Sequence, residues 1–306
     1  MEPLSRHLTS DEADEVLSFG FDLLEGILEG EDGDGPWNKS LAPSSSCEEA
    51  LAGYLWAGLA RPSTSERWEH AHCVRNCLEL DWQSLLSVLA TRASSAAPQP
   101  FVDGGLFFYE WHARQWLCIA LARGAIDAPH AVAPFLGFLD SAVRERHVVI
   151  RHFASDTLRR LNEVTPLPSD LLAIANGANR SALAMEVYAH GEYEIVDDED
   201  SDDEASDDER YFFGIDIGPH WFAPLGRVFG LNQQSIEQRA RAVLRGRMSL
   251  GPRLRIDDQR HKRGLIRWQE TNHSHGSMPR VEDLVVYQSY HSMMFVAGQL
   301  LETKPV

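Results

Sequence analysis

The chain has 306 residues, is 43% hydrophobic and carries a formal net charge of −18. That is enough length and apolar content for one large or two ordinary domains with a substantial core, and the negative balance argues against nonspecific adhesion of the whole molecule to DNA or an anionic membrane. No stretch approaches the roughly 20 apolar residues of a membrane span, and the acidic start MEPLSRHLTSDEADEV lacks the cationic and apolar regions of a signal peptide.

Helix after helix is expected in the first half. Thr9 and Glu12 have capping-box spacing ahead of a face formed by Val16, Leu17, Leu23, Leu24, Ile27 and Leu28. Gly30 marks a stop, and a loop-like EDGDGPWNKSLAPSSS follows. Ser46 and Glu49 open EALAGYLWAGLA, which Pro62 closes, and Ser63 and Glu66 repeat the signal before Trp68, Ala71, Val74 and Leu78. Asp81 is read as the start of WQSLLSVLATR. A further helix covers about 110–123 and is punctuated by Gly124. Asp127 is read as an N-cap with Pro129 in the first turn, where a missing donor matters least. Val132, Phe135, Leu136 and Leu139 then form an apolar stripe. In RERHVVIRHFASDTLRRL, the residues Ile150, Phe153, Ala154, Leu158 and Leu161 lie on one face, and Arg151, Arg159 and Arg160 lie towards the other. Short helices that are apolar on more than one side have to stack on neighbours.

The stretch PHAVAPFLGFLDSAVRERHVVIRHFASDTLRRL resembles a HEAT-type helical repeat, the likeness resting on the IRHFASDTL core of its second helix. WEHAHCVRNCLELDWQSLLSVLA resembles a more divergent unit, and together the two span roughly 64–161. The resemblance implies an α-solenoid and a protein-binding or scaffold role, and it implies no reaction.

An acidic run separates two unlike segments. From Glu192 to Glu209 the chain carries twelve carboxylates and no Lys or Arg, a composition that repels itself and buries nothing apolar. Residues 1–191 hold 26 acidic and 14 basic side chains, whereas 211–306 hold 8 acidic and 13 basic. The expected organisation is a helical-repeat domain over 1–190, an acidic disordered linker over 191–210 and a basic α-rich module over 211–306 with minor β structure. Within that module, YFFGIDIG reads as a strand. WFAPLGRVFG reads as a short helix ended by Gly230, and Asn232 as the cap of QQSIEQRARAVLRG, with Ile236, Ala240, Val243 and Leu244 on one face. Val281 to Leu301 reads as a helix packed through Leu284, Tyr287, Tyr290, His291, Met294, Val296 and Ala297. The segment ETNHSHGSMPRVEDLVVYQSYHSMMFVAGQLL resembles regions of large uncharacterised bacterial proteins that combine helical repeats with signalling ATPase modules. This chain has no G-x-x-x-x-G-K-[ST] of its own, so the resemblance implies a repeat or sensor part without the motor.

Four sets of residues are candidates for chemistry. His273 and His275 share a side if they lie on a strand, and Asp283, His291 or His261 would complete a metal site there. The bland alternative is a polar loop. Cys73 and Cys77 stand four apart near His70 and His72, a spacing that serves either zinc or two thiols in a helix interface. Covalent catalysis finds no G-x-S-x-G or H-E-x-x-H. Cys118 reads as buried, and Glu110, His112 and Arg114 would not converge on a helix. The fourth set is basic. PLGRVFGLNQQSIEQRARAVLRG has a helix-turn-helix outline, and Arg239, Arg241, Arg245, Arg247, Arg253, Arg255, Lys262 and Arg263 form the footprint expected for phosphate neutralisation, or for docking the chain's own acidic run.

The leading expectation is a mostly α, non-enzymatic scaffold that binds another protein, in the cytoplasm and without a cofactor or membrane partner. The first alternative is a nucleic-acid-binding regulator acting through the basic module. The second is a metal-dependent hydrolase using His273 and His275.

Overall fold

The computed structural model describes residues 9–25, 46–61, 63–95, 99–101, 108–181, 183, 213, 216–248 and 284–306. The acidic run, the stretch from 249 to 283 and the proline expected to close the second helix lie outside them.

Among the described residues, eleven α-helices follow one another: α1 (Ser10–Glu25), α2 (Cys47–Leu59), α3 (Thr64–Glu79), α4 (Gln83–Ala93), α5 (Phe108–Asp127), α6 (Leu136–Val143), α7 (Val148–Val164), α8 (Ser169–Gly177), α9 (Ala223–Phe229), α10 (Gln233–Met248) and α11 (Leu284–Thr303). A 3-10 segment, Pro129–Phe135, leads into α6, and one wide helical turn, Gly218–Phe222, leads into α9. The capping signals act as their chemistry dictates. The Ser46, Ser63 and Thr9 hydroxyls each accept from the N–H three residues on, at 3.4 Å in every case. Glu12 closes the first box by accepting from the Thr9 N–H at 2.8 Å.

Three junctions differ from the sequence reading. Asp81 does not open α4 but ends α3. It takes a left-handed φ of 51°, its N–H bonds to the Leu78 carbonyl, and the Trp82 N–H bonds to that of Cys77. This is the Schellman arrangement, which satisfies the orphan carbonyls of a helix end, and it leaves Trp82 as the N-cap of α4 with no side-chain bond. Gly124 does not stop α5, which continues to Asp127. A Cβ at Gly124 would lie 2.3 Å from Leu78 Cδ1, so the glycine lets α5 lie close against α3. Asp127 is consequently the end of a helix and not a cap, and its carboxylate pairs with Arg75 at 2.9 Å. Pro129 does occupy the first turn of the following segment.

The expected strand at YFFGIDIG does not form in its described part, and no β-strand occurs among the described residues. Phe213 and Phe222 meet edge to face at 4.8 Å, with Ile217 buried between them in sequence. Pro219 sits where a helix start tolerates a missing donor and a strand ladder does not.

Helices α3, α5 and α7 neighbour one another in that order, while α2, α4 and the 3-10 segment form a second row against them. Their facing residues build a continuous core that includes Trp56, Leu78, Leu86, Leu117, Phe135, Ile150 and Leu158. The apolar faces read for α7 and α10 are the buried ones. Ile150, Ala154, Leu158 and Leu161 are inside with Phe153 half-buried beside them, and Ile236, Ala240, Val243 and Leu244 are inside as well.

The last helix joins the two stretches that flank the acidic run. α11 packs on α10, and also on α5 and α7. A Cβ at Gly298 would come within 1.7 Å of the Arg146 carbonyl oxygen, so only glycine permits this approach to the α6–α7 corner. Arg146 pairs with Glu302 at 3.0 Å, and the Ser181 hydroxyl donates to the Lys304 carbonyl at 2.7 Å.

Candidate functional site

Where α11 meets α5 and α7, three histidines form a hydrogen-bonded row. His112 lies on α5 beside Phe108, one helical turn away. His147 is the N-cap of α7, and His291 faces both from α11. His147 Nε2 is 2.9 Å from His291 Nδ1, and His291 Nε2 is 2.8 Å from His112 Nδ1. All three are buried. Around them stand Trp111, parallel to His147 at 6.1 Å, Phe295, edge-on to His147 at 5.2 Å, and Tyr287, edge-on to His112 at 4.4 Å.

One backbone bond fixes the proton positions along the row. His147 Nδ1 accepts from the Ile150 N–H at 3.3 Å, which is the side-chain cap of α7. That nitrogen therefore carries a lone pair, and in the neutral ring the proton sits on Nε2. The proton is donated to His291 Nδ1, so His291 is also protonated on Nε2 and donates in turn to His112 Nδ1. His112 Nε2–H ends the row, and it has no hydrogen-bond partner among the described residues although it is buried. Burial is the main reason the His112 and His291 imidazoles are held well below the ordinary histidine range; the Arg67 guanidinium and the neighbouring rings add to it.

Arg67 links this row to the surface. It is 2% exposed and donates to the Arg61 carbonyl at 2.7 Å and to the Thr64 hydroxyl at 3.0 Å. Its guanidinium lies 5.5 Å from the Tyr287 ring and 5.6 Å from that of Trp116. Trp116 meets Trp68 edge to face at 6.0 Å. Trp68, 40% exposed, carries Arg123 over its face at 4.9 Å and His72 against its edge at 4.6 Å. An amphipathic aromatic shelf thus reaches the solvent between α3 and α5. Elsewhere, an open groove of about 430 Å³ runs between α2 and α4, lined by Glu49, Ser87, Thr91 and Arg92.

The other candidates are placed as follows. Cys73 is exposed and Cys77 buried. Both thiols are pushed up by burial, with Glu69 adding to the effect at Cys73 and Cys73 adding at Cys77. No group of three or more His, Cys, Asp or Glu suited to a metal occurs among the described residues. Cys118 is buried and raised to about 12, the reverse of an activated thiol. Glu110 and Arg114 pair across one turn at 3.7 Å, while His112 points inward, away from them, to the row. On α10, Arg241 pairs with Glu237 at 3.2 Å and covers the Phe213 ring, Arg239 is half-buried, and Arg245 is exposed. The Arg247 side chain, and Arg253, Arg255, Lys262, Arg263, His261, His273, His275 and Asp283, lie outside the described residues. Gly230 takes the left-handed φ of 68° that the α9–α10 turn requires, and Asn232 caps α10 by accepting from the Ser235 N–H at 2.8 Å.

The histidine row is not apparent in the sequence, where His291 reads as a packing residue and the near neighbours of His112 do not share its face. The available signal was that His112 falls on the same helical side as Phe108, Tyr109 and Gln115, all of them buried. No described helix is long and apolar enough to cross a membrane. No protein-family model matches the chain, and a search of curated proteins finds no significant match.

Proposed function

We propose that the chain is a non-enzymatic helical interaction protein, built as a HEAT-like α-solenoid, that binds another protein through the shelf between α3 and α5. The observation that carries this reading is the exposed Trp68, flanked by Trp116, His72 and Arg123. Partly exposed tryptophan with an adjacent arginine is the composition of interface hot spots, because a rigid ring buries much area at little entropic cost. The neighbour order of α3, α5 and α7 in one row and α2, α4 and the 3-10 segment in the other supports the solenoid reading.

A photo-crosslinking residue at position 68 tests it, with one at Glu163, on the exposed far end of α7, as control. The expected result is a discrete adduct at 68 alone. The adduct's partner, once purified, should bind the wild-type chain and lose at least about tenfold in affinity to Arg123→Glu or Trp68→Ala. Equal labelling from both positions would remove the shelf as a docking surface.

A second reading, nucleic-acid binding through the basic stretch, is favoured by the α9–Gly230–α10 turn and the exposed Arg245 on its second helix. The full chain is the right sample, since α10 packs on α11 and α11 on the first half. A salt-sensitive gel shift at low ionic strength supports this reading, and no shift at all discards it.

A further inference from the structure

The geometry points to an acid-released latch: the row His147–His291–His112 holds α11 against α5 and α7 while all three rings are neutral, and uptake of protons by the row frees the helix. This goes beyond the binding role proposed above and does not depend on it.

The argument begins with lone pairs. A neutral imidazole offers one acceptor nitrogen. In this row the acceptor of His147 faces the Ile150 N–H, that of His291 faces the His147 Nε2–H, and that of His112 faces the His291 Nε2–H. No ring has an acceptor to spare. A proton added anywhere therefore turns one hydrogen bond into two N–H groups pointing at each other, in a site that excludes water. Reversing the row does not help, because a proton on His147 Nδ1 would meet the Ile150 N–H.

Charge is unwelcome for a second reason. The charged group that faces the row from α3 is Arg67, itself a cation. Among the described residues, the phenols Tyr287 and Tyr290 of α11 also adjoin the row. The charges that act on His112 and His291 are the Arg67 guanidinium and the neighbouring rings, none of which compensates an imidazolium.

The element that yields should be α11. Helix α5 packs directly on both α3 and α7, and these contacts do not need α11. Beside the row and its aromatic surround, the ties of α11 to α7 and its flanks include an exposed ion pair, Arg146–Glu302, and the Ser181 bond at its end. Two of the three histidines, His112 and His291, have folded-state affinities for protons well below ordinary. The state with α11 released binds more protons, so docking is fully present above the ordinary histidine value of about 6.5 and weakens as pH falls through it. For two protons the docking constant falls by up to about 100-fold per pH unit below that point.

Hydrogen exchange on the full chain tests the latch between pH 7.5 and 5.0, with rates corrected for intrinsic pH dependence and α3 as internal reference. The expected result is that amides of α11 lose protection from about pH 6.5 downward while those of α3 and α5 keep theirs. In His112→Phe the loss should shrink towards about tenfold per pH unit, because one titrating ring is gone. The idea is overturned if α11 stays protected relative to α3 down to pH 5.0, if the whole chain melts in one step, or if His112→Phe leaves the slope unchanged. Should that variant not fold, nitrogen-15 spectra of the wild-type histidines decide: neutral Nε2–H rings that charge as α11 is released support the latch, and rings that charge with α11 still protected sink it.

Discussion

His147 serves two structures with one ring. Its Nδ1 satisfies an orphan donor in the first turn of α7, and its Nε2–H sets the direction of the row that reaches His112. Replacing it with Ala removes a cap and leaves the buried Nδ1 of His291 without its donor. The two losses together should cost about 2–4 kcal/mol at pH 7.5 in urea unfolding. His147→Asn can still cap α7 but cannot reach His291, and it should recover about 1 kcal/mol of that. If Asn and Ala were equally destabilising, the cap would have no measurable part in it. The same scale decides the cysteines. Exposed Cys47 and Cys73 should react with a thiol reagent in the folded protein at pH 8, and Cys118, buried and raised to about 12, should react only after unfolding. Early labelling of Cys118 would mean that the centre of α5 is open to solvent.

At the scale of elements, two helical glycines should respond in opposite ways to the same change. Gly298→Ala drives a methyl into the Arg146 carbonyl, which is backbone and cannot swing aside, so α11 must lift. The expected cost is about 1–3 kcal/mol or more. Gly137 has nothing within 4 Å of the same position, and Gly137→Ala in α6 should stabilise by about 0.5–1 kcal/mol through helix propensity alone. Thermal unfolding of the pair checks both signs, and equal destabilisation would show that α6 needs its glycine for some other reason. The contrast also marks what a sequence can tell. Caps at Ser46, Ser63 and Asn232 were legible because the acceptor and its donor are three residues apart. The faces of α7 and α10 were legible because 3.6-residue spacing is local too. Gly124 and Asp81 are ambiguous in sequence for a common reason. A glycine that admits Leu78 and an aspartate that closes a Schellman turn look the same, in one dimension, as a stop and a start. Of the histidine row only the inward side of His112 was legible, since His147 and His291 are 144 residues apart in sequence and the packing of α11 brings them together.

Over the whole molecule, the composition change at the acidic run suggested two parts, and α11 is where that suggestion meets the packing. Tyr287 lies against Phe108 and His112, Phe295 lies against Trp111 and His147, and His291 sits between them. All of these partners belong to the first half. A buried Phe or Leu side chain contributes about 1.5–3 kcal/mol, and the folded state of a domain stands only about 5–15 kcal/mol below the unfolded. Removing α11 therefore takes away a sizeable fraction of the margin and uncovers a contiguous aromatic floor. A chain ending at residue 190 should unfold at lower temperature and less cooperatively than the full chain, and it should bind a hydrophobic dye in the folded state. Adding a peptide that spans Leu284–Thr303 should restore part of the lost stability at pH 7.5 and less of it at pH 5.5, where the rings of the row are charged before docking. If the shortened chain melted as cooperatively and as high as the intact one, the C-terminal helix would be an ornament on a self-sufficient domain. The floor of Phe108, Trp111 and His112 would then have to find its cover within the first half.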